Sequence, residues 1–217
     1  MTPRAVDTVI FDLGGVIMQN GGPRDFTRRY PNHDPVLVAE IVMGPHHLDT
    51  DHQWHRVERG EITLDECRAI TKQKLDDAGI VATVPPEPAP TTSNSPFNFQ
   101  LNEDMVTFIH DLKAAGLAIG ILTNNVKEFR PMWWPLMDYA NIFDTIVDSH
   151  EVQMRKPNPA IYELTMSRLQ ASPGRTAFLD DLEANVHAAS ALGIHGIHVE
   201  EDSSGAIATA RSLTGLA

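Results

Sequence analysis

Apolar residues fall along this chain in two rhythms, short unbroken runs and stripes spaced three and four residues apart. Thr8 to Leu13 (TVIFDL) is a β-branched run closed by Gly14-Gly15, which predicts a buried strand ending in a sharp turn. Leu117 to Leu122 (LAIGIL), Thr145 to Val147 and Ala177 to Leu179 predict strands of the same kind. Helical spacing lies between them. Glu103 to Ala115 puts Val106, Ile109 and Leu112 on one face, with Asn102 as N-cap and Gly116 as the stop. Pro159 to Leu169 and Leu182 to Leu192 repeat the pattern, the latter ending at Gly193. Apolar strands alternating with helices predict an α/β fold, a doubly wound, Rossmann-like parallel sheet covered on both faces. In such sheets ligands bind beyond the carboxyl ends of the strands.

The segment 21–100 breaks this rhythm, being helical and polar without a convincing strand. Thr63-Leu-Asp-Glu66 is a capping box for a helix carrying Leu64, Cys67, Ile70 and Leu75 toward Gly79. Pro85 to Pro96 is rich in Pro, Ser and Thr and reads as an extended return linker. The expected organisation is a core of residues 1–20 and 101–217, with a helical cap inserted at 21–100.

A length of 217 residues with 42% hydrophobic content is enough to bury one core beside such an insertion. The formal net charge of −12 argues against nucleic acid and anionic membranes as partners, since both are bound through clustered Lys and Arg. No run approaches the ~20 apolar residues of a membrane span, and Met1 to Val9 lacks the order of a secretion signal, so the cytoplasm is the expected compartment. The single cysteine, Cys67, falls in the amphipathic pattern and reads as a buried structural thiol. A chain this acidic that binds a small anion must supply local positive charge, from a metal or a placed lysine.

Candidate chemistry collects at strand ends. Asp12 follows Val9-Ile10-Phe11, Thr123-Asn124-Asn125 follows Ile121-Leu122, Lys156 lies downstream of the third run, and Asp180-Asp181 follow Phe178-Leu179. Parallel strands would bring these groups to one sheet edge. A carboxylate attacks a phosphoryl group only when the repulsion between two anions is cancelled, and a hard divalent cation bridging Asp12 and a phosphate oxygen does this. Magnesium suits such oxygen ligands, with one or two carboxylates and a backbone carbonyl such as that of Gly14 completing the set. Thr123 and nearby backbone N–H groups can hold the other phosphoryl oxygens, and Lys156 can neutralise nucleophile and transferring group.

These residues resemble the four motifs of the haloacid dehalogenase superfamily. Val9-Ile-Phe-Asp-Leu-Gly-Gly-Val16 matches the first, Ile121-Leu-Thr-Asn-Asn125 the second, Arg155-Lys-Pro157 the third and Phe178-Leu-Asp-Asp-Leu-Glu-Ala-Asn185 the fourth. The segment Trp54 to Thr63 is similar to helical caps of the subgroup that holds sugar-1-phosphatase-like proteins and the phosphatase domain of soluble epoxide hydrolase. The resemblance implies Asp12 as nucleophile, phosphate contacts from Thr123, Asn124 and Lys156, Asp181 as direct magnesium ligand with Asp180 beside it or bound through water, and Asn185 in support. It implies a small phosphate monoester as substrate, sugar phosphates among the choices. In most phosphatases of the superfamily a second Asp stands two residues after the nucleophile as acid and base. Here that position is Gly14, as in the sugar-1-phosphatase-like branch.

A dehalogenase would use the same aspartate on carbon without a metal, leaving Asp180-Asp181 idle. A phosphonate-cleaving relative would need a cap lysine, and only Lys72 and Lys74 lie there. A non-catalytic binder of phosphate ligands is the alternative that loss of the acid allows. His46, His47, His52 and His55 read as exposed or hydrogen-bonded rather than metal-binding, Trp54, Trp133 and Trp134 as packing residues, and Arg28, Arg29 and Arg155 as surface charges.

Overall fold

A computed structural model describes residues 4–19, 29–83 and 100–216, so the return linker at Pro85 to Pro96 and Arg28 lie outside the described residues. In chain order the strands are β1 (Thr8–Phe11), β2 (Met18–Gln19), β3 (Gln100–Leu101), β4 (Ala118–Thr123), β5 (Thr145–Asp148), β6 (Thr176–Asp180) and β7 (His195–His198). The α-helices are α1 (Pro35–Met43), α2 (Gln53–Glu58), α3 (Leu64–Asp77), α4 (Glu103–Ala114), α5 (Arg130–Trp133), α6 (Tyr139–Ile142), α7 (Ser149–Val152), α8 (Pro159–Leu169), α9 (Glu183–Ala191) and α10 (Ser204–Thr214).

Five strands form a parallel sheet in the order β5-β4-β1-β6-β7. β1 is central, and all four of its residues are buried because side chains leave a strand to alternate faces and both faces are covered. Val9 and Phe11 join Phe108, Ile109 and Leu112 of α4 and Ala206 and Ala210 of α10 on one side. Ile10 joins Ile161 and Tyr162 of α8 and Ala189 of α9 on the other. The doubly wound sheet is thus as the apolar runs predict. Strand β7 escaped them because it is an edge strand in which Ile197, flanked by Gly196 and the exposed His198, is the one buried residue. α10 escaped because its buried face is Ala206, Ala210 and Thr214, too small to stand out as an apolar stripe.

β2 and β3 meet as an antiparallel pair, Met18 against Leu101 and Gln19 against Gln100. Between them α1, α2 and α3 pack on one another. Val38, Leu75 and Ile80 form one apolar cluster, and Val57, Leu64 and Cys67 form another that reaches Val126 just beyond β4. The capping box of α3 is present: Thr63 Oγ1 accepts from Glu66 N–H at 3.2 Å, and Glu66 Oε2 accepts from Thr63 N–H at 2.7 Å. Among the described residues no helix is long and apolar enough to cross a membrane.

Candidate active site

Asp12 leaves β1 while its N–H still donates to Leu179 O of β6 at 2.9 Å, which anchors it between two central strands. Its Oδ1 accepts from Leu13 N–H at 2.7 Å and lies 2.9 Å from Lys156 Nζ. Lys156 also reaches Asp180 Oδ2 at 2.6 Å and is 1% exposed, so one buried ammonium bridges two carboxylates from neighbouring strand ends. The third carboxylate, Asp181, is half-buried, and one oxygen from each of Asp12, Asp180 and Asp181 falls within 4.8 Å of the others.

The two aspartates after β6 differ in what surrounds them. Asp180 is fully buried, and its Oδ1 accepts from Leu182 N–H at 2.8 Å and from Asn185 Nδ2 at 3.0 Å. Asn185 therefore supports the site through Asp180. Asp181 lies against Gly15, where a Cβ would come within 2.3 Å of Asp181 Oδ2 and the backbone has φ of +75°. Both conditions require glycine there. Gly14 differs: its φ is outside the left-handed region and a Cβ would meet nothing within 4 Å.

Thr123 ends β4 almost wholly buried. The Asn124 side chain is used within the loop. Its Oδ1 accepts from Lys156 N–H at 2.8 Å and its Nδ2 donates to Lys156 O at 2.9 Å, so the amide clasps the backbone of the lysine.

Burial pushes the Asp12 carboxyl up to about 7, with Asp180 and Asp181 adding to the rise and Lys156 opposing it. Burial acts to lower Lys156, but the charges of Asp12 and Asp180 outweigh it and raise the ammonium above its ordinary value. Three carboxylates around one ammonium leave an excess of negative charge on oxygen donors. That donor set fits a hard divalent cation.

Arg155 is not the surface charge its sequence context suggests. It is buried, its Nε donates to Glu58 Oε2 of α2 at 2.8 Å, and its Nη1 donates to Leu48 O at 2.6 Å. Ser149 was also invisible in the sequence. Its Oγ donates to Glu58 O at 2.6 Å and accepts from Asn125 N–H at 2.9 Å, joining α2 to the loop after β4.

The histidines are local. His52 is the N-cap of α2, where its Nδ1 accepts from Trp54 N–H at 3.2 Å, while His55 Nδ1 accepts from Thr50 N–H at 3.1 Å. Burial, reinforced by Arg155, lowers His55 to about 3, and burial with Lys74 nearby lowers His52. Both shifts favour the neutral imidazole. Among the described residues the carboxylate trio is the one cluster with metal-ligand geometry. Trp133 is fully buried and Trp134 stacks on Tyr139, as packing residues do.

A family model described as haloacid dehalogenase-like hydrolase matches residues 89–199, just over half of the chain. Acyl-CoA dehydrogenase family member 10 of Mus musculus is 30% identical over 207 residues, which is 91% of this chain but 18% of that protein. A sesquiterpene phosphatase of Aspergillus oryzae is 27% identical over 202 residues, covering 88% of this chain and 89% of that one. A haloacid dehalogenase family enzyme from Bacteroides thetaiotaomicron, solved in complex with magnesium and inorganic phosphate, shares the fold. Its TM-score is 0.61 at 20% identity, over 91% of this chain and 96% of the other.

Proposed function

Because the chain belongs to the haloacid dehalogenase-like hydrolases, we propose that it is a magnesium-dependent phosphatase that cleaves a small phosphate monoester through a covalent phosphate on Asp12. The observation that carries this reading is the Lys156 ammonium held between Asp12 and Asp180, with Asp181 completing the carboxylate trio. Magnesium held by Asp12, Asp181 and the Gly14 carbonyl would supply the positive charge that lets an anionic nucleophile approach an anionic phosphate. A carbon–halogen substrate has no need of that charge, so the trio favours phosphoryl chemistry. The fungal phosphatase that matches along nearly its whole length supports the same choice.

In this reading Leu13 N–H and Lys156 fix the rotation of the Asp12 carboxylate. An Asp12 oxygen forms a bond to phosphorus as the ester P–O bond breaks. Thr123 and Lys156 hold the non-bridging oxygens as charge spreads over them. Gly14 offers no acid, so the departing alkoxide takes its proton from solvent, and water then cleaves the acyl phosphate to phosphate and the Asp12 carboxylate. Asn124 and Asn185 are positioning residues, one for Lys156 and one for Asp180. Helices α1 to α3 act as the cap that selects the substrate.

The test is phosphate release from an aryl phosphate, with and without magnesium, by the wild type and by Asp12→Asn. Release that requires both magnesium and Asp12 is expected. An Asp12→Asn protein that keeps most of its activity would sink the mechanism, and a wild type that binds phosphate without any release would favour the non-catalytic binder.

A further inference from the structure

A cleft of about 530 Å³ opens between the first of the inserted helices and the start of α9. Pro35, Val36, Ala39 and Pro45 line it on one side, Leu182 and Ala184 on the other. Val36 is 64% exposed and Leu182 37%, so apolar surface is left open to water on both walls. Among the described lining residues the acidic ones are Glu40 and Glu183, His46 and His47 are the other titratable ones, and there is no lysine or arginine. Leu182 directly follows Asp181, and its N–H donates to Asp180 Oδ1 at 2.8 Å, so one wall is fixed to the candidate metal site.

We propose that this cleft receives a hydrocarbon tail, and that the substrates are alkyl-chain phosphate monoesters rather than sugar phosphates. The proposal rests on the phosphatase reading of the trio. Its volume is that of a small-molecule site, and its lining is the apolar one that such sites use for uncharged ligand bodies. Sugar hydroxyls brought against the apolar walls of Pro35, Val36, Leu182 and Ala184 would lose water without gaining partners there, since the polar side chains of the lining are confined to Glu40, Glu183, His46 and His47. A second anionic group on the substrate would meet Glu40 and Glu183 in a chain already strongly acidic. A tail of methylenes meets neither penalty and covers the exposed apolar walls.

The experiment compares n-alkyl phosphates from methyl to decyl, with magnesium, for kcat/KM, and the matching n-alkylphosphonates, which cannot be hydrolysed, for binding by calorimetry. Each added methylene is expected to raise both quantities about two- to fourfold until the cleft is filled. Val36→Asp, on the exposed first turn of α1 where a carboxylate suits a helix start, should flatten that slope. Chain-length-dependent phosphonate binding without hydrolysis of any ester would overturn the phosphatase reading and leave the tail site standing. Rates and affinities that do not change with chain length, or a slope unchanged in Val36→Asp, would overturn the tail site, the cleft then having another occupant.

Discussion

Arg155 and Glu58 form an ion pair at 2.8 Å with only 4% and 9% of their side chains exposed, between the residue before Lys156 and the last residue of α2. The other Glu58 oxygen accepts from Trp54 Nε1 at 2.9 Å. Helix α2 and the loop that carries Lys156 are therefore joined by one buried charge pair. Removing one member leaves the other charged and buried, at a cost of about 3–5 kcal/mol. Arg155→Ala and Glu58→Ala should each lower stability to denaturant on that scale, and the double variant should lose clearly less than the sum. Strict additivity of the two losses would show that the pair does not couple the two regions.

Asp180 and Asp181 should fail in different ways. Asp180→Ala takes a partner from the buried Lys156 and from Asn185, so its main effect should be a loss of several kcal/mol of stability. Asp181→Ala should raise the magnesium concentration needed for half-maximal activity by at least tenfold, and more than Asp180→Ala does. Equal magnesium midpoints in the two variants would contradict the assignment of Asp181 as the direct ligand.

The two glycines after Leu13 make opposite predictions. Gly14 has room for a side chain and an ordinary backbone, so Gly14→Asp should fold normally. It should raise hydrolysis of alkyl phosphates, with a ceiling of about 10²–10⁴-fold set by general acid catalysis, and should weaken the dependence on leaving-group pKa. Gly15→Ala places a methyl against Asp181 Oδ2 in a left-handed backbone and should abolish magnesium-dependent activity. A folded Gly14→Asp protein with unchanged alkyl-phosphate rates and pH profile would show that the missing acid does not limit turnover.

Acidity gives a further test. The folded protein raises Asp12 from 3.8 to about 7, so folding favours its protonated form. The stability this contributes is complete below about pH 3.8 and is lost as pH rises through about 7. The metal-free protein should accordingly lose stability across that window, and Asp12→Asn should remove this part of the slope. Magnesium competes with the proton on Asp12, so the rise in melting temperature that it produces should grow with pH up to and past neutrality. A magnesium increment of constant size across the window would count against Asp12 as a ligand.

Much of this site was legible because parallel strands convert sequence position into spatial position. Asp12, Thr123, Asp180 and Asp181 each follow an apolar run, and such runs end at one sheet edge. What stayed hidden depends on long-range pairing. Glu58 and Arg155 are separated by 97 positions, and nothing local marks either as buried. The clasp of the Asn124 amide on the Lys156 backbone, 32 positions away, is likewise a pairing that only the structure reveals. Gly14-Gly15 announced a turn, but the sequence could not tell which glycine lies under Asp181.

The short pairing of β2 with β3 has a consequence for how the chain folds. Thr8 must find Ala118 more than a hundred positions away, and closing a loop of that length costs entropy before any sheet contact forms. Once Gln19 meets Gln100, the path from β1 to β4 shrinks to the few residues of the turn plus α4. Loop entropy grows only with the logarithm of length, so the shortcut lowers the closure cost by about 1 kcal/mol. Topologically, the intervening segment hangs from the nucleus as a side loop whose size the assembling sheet barely registers.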